Sequence, residues 1–137
     1  MEFSIRAIVE VLGFPREHVD EVMKRVMEKL KAEEGMTVKN EKVMPAEPIK
    51  QQMFSSFADV EVRISDLGKL NYFCFHYLPS SVEILDQETV NFSVQDFTNY
   101  LNDILAAVHQ YNLLLSNLRA EVDVLKGKQS QEVDQGL

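Results

Sequence analysis

The sequence predicts an α+β fold, two strand-helix-strand halves in the order βαββαβ, followed by one long helix of coiled-coil type. Three observations carry this reading. Phe3 to Leu12 and Phe57 to Ile64 alternate apolar and polar residues with a period of two. Each is followed by a stretch whose apolar residues recur at three to four. The last third of the chain then holds that helical spacing without a break from Val94 to Leu125.

In the first strand the odd positions Phe3, Ile5, Ala7, Val9 and Val11 are apolar, with Ser4, Arg6 and Glu10 between them. This is the pattern of a strand with one buried face. Gly13-Phe14-Pro15 breaks it, and Pro15 suits a first helical turn because its missing N–H has no partner to lose there. From Arg16 to Glu34 the residues Val19, Val22, Met23, Val26 and Leu30 form an apolar face, while Asp20/Lys24 and Glu21/Arg25 are i,i+4 pairs on the wet side. Gly35 is expected to stop this helix.

Met36 to Met44 reads as a second, less regular strand. Pro45, Pro48 and Gln51-Gln52 then predict a mobile surface loop over Ala46 to Ser56. The third strand, Phe57 to Ile64, turns Ala58, Val60, Val62 and Ile64 to one face and Asp59, Glu61 and Arg63 to the other. Tyr72 to Tyr77 is rich in strand formers, yet Leu67, Leu70, Phe73/Cys74 and Tyr77 fall at helical spacing. With Ser65 as N-cap and Pro79 as stop, Asp66 to Leu78 is read as the second helix. Ser81 to Leu85 supplies the fourth strand. Residues 1–86 therefore match the ferredoxin-like split-βαβ motif, with both helices on one face of an antiparallel sheet.

Residues 93–126 form the long helix. Val94, Leu101, Val108, Leu115 and Val122 occupy heptad position a, and Phe97, Ile104, Tyr111, Leu118 and Leu125 occupy d. At roughly 1.5 Å per residue the helix outruns a sheet this small, so its far half needs cover from elsewhere. The flanking e and g positions change character. Tyr100, Leu105, Ala107 and Leu114 give a broad apolar face, whereas Arg119, Glu121 and Lys126 suit an exposed seam. Glu121 at g and Lys126 at the next e meet across a parallel pair. The expected oligomer interface is therefore Val108, Tyr111, Leu115, Leu118, Glu121, Val122, Leu125 and Lys126, in a homodimer or, because Leu113 and Leu114 widen the face, a higher oligomer. Residues 127–137 are polar and aperiodic and are expected to be a disordered tail.

Composition sets the limits. At 137 residues the chain holds one domain and an appendage, and its formal charge of −8 opposes binding to phosphate backbones. Cys74 is the single cysteine, which excludes an internal disulfide. The N-terminal Met1-Glu2-Phe3-Ser4 lacks the basic region and apolar run of a signal peptide, and no window is apolar enough for a membrane span. A cytoplasmic location is expected.

Candidate chemistry is sparse. Cys74 and His76 have no second ligand pair for zinc, so Cys74 is expected to pack in the core and to bind no metal. His18 and His109 come with no nucleophile or acid arranged around them. Glu17, Asp20, Glu21, Glu28, Glu33 and Glu34 line the polar side of a helix rather than converge in a cleft. No dinucleotide, phosphate-loop or nucleophile-elbow motif is present. RNA-recognition sheets stack bases on aromatic residues. The open face here carries Arg6, Ile8, Glu10, Asp59, Glu61 and Arg63, with acids and no aromatic, so no nucleic-acid partner is expected.

Through Val11-Leu12-Gly13-Phe14-Pro15 and the helix after them, residues 1–86 resemble the ACT-like class of small regulatory domains. That class shares the βαββαβ order and often binds amino acids near the turn after its first strand. The resemblance implies a ligand turn at Gly13, Phe14, Pro15 and Arg16, although the aspartate often found before that turn is missing. The sequence thus predicts a non-enzymatic interaction or scaffold protein without cofactor, partnered by itself and by another protein. An ACT-like sensor of small molecules is the alternative.

Overall fold

The chain is described by a computed structural model that gives the backbone of residues 1–135 and the side chains of residues 1–129. It divides into two units, Met1–Ser93 and Val94–Leu137.

The first unit is a four-stranded sheet with two helices. β1 (Phe3–Gly13) pairs antiparallel with β3 (Phe54–Ile64) over its whole length, from Phe3 opposite Ile64 to Gly13 opposite Phe54. β2 (Met36–Pro48) flanks β3, and β4 (Ser81–Ile84) flanks β1 only from Ile5 to Ile8. The strand order is β2-β3-β1-β4, with every neighbour antiparallel.

The period-two residues do what their spacing predicts. Phe3, Ile5, Ala7 and Val9 of β1 and Ala58, Val60, Val62 and Ile64 of β3 are buried on one face. Against them pack Met23, Met27 and Leu30 of α1 (Arg16–Ala32) and Phe73 and Tyr77 of α2 (Leu67–Tyr77). Because one continuous core takes in both helices, they cover the same side of the sheet. The other side is open, and on it Arg6 holds Asp59 through Nε to Oδ1 at 3.0 Å and Nη2 to Oδ2 at 2.6 Å.

Several boundaries differ from expectation for identifiable reasons. Pro45 does not end β2, which runs on to Pro48, because an edge strand's outward N–H groups need no ladder partner. Two irregularities in pairing, at Val38/Asn40 and Met44/Glu47, absorb the change of register. Ala46–Ser56 is accordingly not an irregular loop: it holds the end of β2, a 3₁₀ turn at Lys50–Gln52 and the start of β3. Gln51 and Gln52 both take φ of 63°, the left-handed conformation of a tight hairpin.

The helix expected over Asp66 to Leu78 is observed at Leu67–Tyr77, with Asp66 rather than Ser65 as its N-cap. Asp66 Oδ1 accepts from the Lys69 amide at 2.9 Å, and Ser65 Oγ donates to Asp66 Oδ2. These bonds hold the Asp66 carboxyl below the usual carboxylate range. α1 stops at Ala32, and Gly35 follows with φ of 77°; a Cβ there would sit 2.7 Å from Ser65 Oγ. The second unit is α3 (Val94–Gln135), 42 residues and about 63 Å long at 1.5 Å per residue. Its backbone stays helical beyond Gly127, through residues expected to be a disordered tail. Gly136 and Leu137 lie outside the described residues.

Candidate functional site

At the turn after β1, Gly13 pairs with Phe54, and a Cβ on Gly13 would come 3.3 Å from Val19 Cγ2. The glycine lets α1 start close against the strand it leaves. Pro15 provides the first carbonyl of the helix, which accepts from the Val19 amide at 3.1 Å, and no side chain caps this end. Phe14 is 61% exposed. Its ring lies 6.4 Å from that of Phe54, while the Arg16 guanidinium sits 5.1 Å over the Phe54 ring. The four residues expected to form a ligand turn are therefore together. What they build is a cation on an aromatic shelf, which can hold a flat or anionic group as readily as it closes a surface turn.

At the other end of α1, the structure joins residues that the sequence reading left apart. Glu33 accepts from the hydroxyl of Tyr77 at 2.9 Å and from that of Tyr72 at 3.2 Å. Burial first, and then the Glu33 carboxylate, push both phenols above the ordinary tyrosine value. Lys29 stands 5.8 Å over the Tyr77 ring, and His76 stacks on Tyr72 at 3.8 Å. Glu33 lies 39 and 44 residues from its donors, so no local pattern announces the contact. Cys74, half-buried beside this cluster in sequence, packs against the core, and burial pushes its thiol up.

The open sheet face is charged as expected, with one correction. Phe57, opposite Glu10 and Met44, lies on this face and is exposed, so the face is not free of aromatics.

On α3 every seam position that the heptad pattern names lies on one uninterrupted helix. Val108, Tyr111, Leu115, Leu118, Val122 and Leu125 are all exposed, between 44% and 64%. In the wider half, Tyr100, Ile104 and Ala107 are half-exposed. Glu121 and Lys126 flank the far end of the stripe and are exposed as well. The next position a, Gln129, is polar, so the seam ends at Leu125. Among the described residues no helix is long and apolar enough to cross a membrane.

The chain belongs to the MJ0538 family, whose profile matches residues 4–134. The match runs through both units, so the sheet and the long helix are parts of one family pattern. No curated protein and no solved structure matches the chain.

Proposed function

We propose that this member of the MJ0538 family is a non-enzymatic interaction or scaffold protein that self-associates through α3. The observation that carries the reading is the exposed seam. An α-helix with six large apolar side chains in register from Val108 to Leu125, each at least 44% exposed, leaves apolar area in water that a second helix can remove. Covering one Leu or Val side chain contributes about 1.5 to 3 kcal/mol when burial is complete. Glu121 and Lys126 add about 0.5 kcal/mol as a surface pair, which biases the helices toward parallel without creating the association. The broad apolar face around Tyr100, Leu105, Ala107 and Leu114 fits a higher oligomer or a helix from a different protein. Sedimentation equilibrium of the intact chain tests the reading: a monomer at tens of micromolar overturns it.

The ferredoxin-like class is part of the proposal for the head. It is supported by the element order βαββαβ, by a strand order that reads β4-β1-β3-β2 from the short edge, and by both helices sharing one face. A cytoplasmic home without nucleic-acid, membrane or cofactor partners is proposed from the acidic charge and the single cysteine. The second reading, an ACT-like sensor, draws on the exposed Phe14 beside Phe54 and Arg16. A rise in melting temperature with free amino acids, absent in Arg16→Ala, favours it.

A further inference from the structure

We draw no further inference here: the strongest candidate, the core-side face of β4, where Val82 and Ile84 lie opposite the buried Ala7 and Ile5 of β1 yet remain 40% and 37% exposed, carries nothing because nothing in the structure shows what covers it.

Discussion

Tyr77 donates its hydroxyl to the carboxylate of Glu33 at 2.9 Å, tying the last residue of α2 to the residue that caps α1. Tyr77 is 8% exposed, so the bond is made where water competes poorly. Tyr77→Phe keeps the ring and removes the donor. A hydrogen bond to a charged acceptor contributes about 1.5 to 3 kcal/mol, and Tyr72 still serves Glu33, so a loss near the lower figure is expected in urea denaturation.

The same contact gives the fold an alkaline limit. The folded-state value of Tyr77 is raised above its ordinary 10.0, which means that the native state favours the protonated phenol. Its contribution is complete below pH about 10, where the unfolded phenol is still neutral, and is lost as pH rises toward the raised folded value. Stability should therefore fall above pH 10 with a slope that Tyr77→Phe reduces. An identical slope in the two proteins would show that other groups control alkaline unfolding.

The hairpin tip invites a stabilising change. Gln51 and Gln52 both sit at φ of 63°, a region that costs residues with a Cβ roughly 1 kcal/mol and that Asn-Gly occupies readily. Gln51→Asn with Gln52→Gly is expected to raise the denaturation midpoint by about 1 kcal/mol in free energy, at unchanged m-value. A lower midpoint would mean that the glutamine side chains support the tip.

How legible each element was follows from how local its cause is. Phe3 to Val9 and Val60 to Ile64 bury alternate residues as their spacing predicts, because a strand with one wet face writes its burial directly into its sequence. The 3-4 stripe of α3 is legible for the same reason. Pro45 and Pro48 are ambiguous in sequence because a proline's cost depends on whether its strand is central or at an edge, and that is set by β3 and β1 rather than by β2 itself. Ser65 and Asp66 are both good N-caps by residue type, and only the bond from the Lys69 amide distinguishes them. At the candidate surfaces, the Phe14–Phe54 contact arises from pairing between distant segments, which periodicity does not encode.

Asp20 shows a further non-local tie. Its Oδ1 accepts from the Ala46 amide at 2.7 Å, holding α1 to β2 at the irregular stretch between Met44 and Glu47. Asp20→Ala leaves that amide without its acceptor, and a loss of about 1 to 3 kcal/mol is expected. Faster exchange of the Ala46 amide should accompany it; an unchanged rate would mean that water replaces the carboxylate at no cost.

The helix seam is the most consequential prediction. Leu115 at a and Leu118 at d lie in the middle of the exposed stripe, 47% and 58% accessible, and each would sit between side chains of a facing helix. Aspartates at both positions put two charges per chain into that interface, where desolvation opposes association and like charges face one another. The head should keep its fold, since among the described residues its buried core cluster is built from residues of Met1–Ser93. A micromolar dissociation constant corresponds to about 8 kcal/mol, so losing two Leu contacts of about 1.5 to 3 kcal/mol each already weakens association by about a hundredfold to ten-thousandfold. Leu115→Asp with Leu118→Asp is therefore expected to sediment as a folded monomer or a much weaker oligomer, with unchanged near-ultraviolet dichroism from the head. If the variant associates as strongly as the unmodified chain, the contact lies elsewhere, and the apolar stripe of α3 is not what joins the copies.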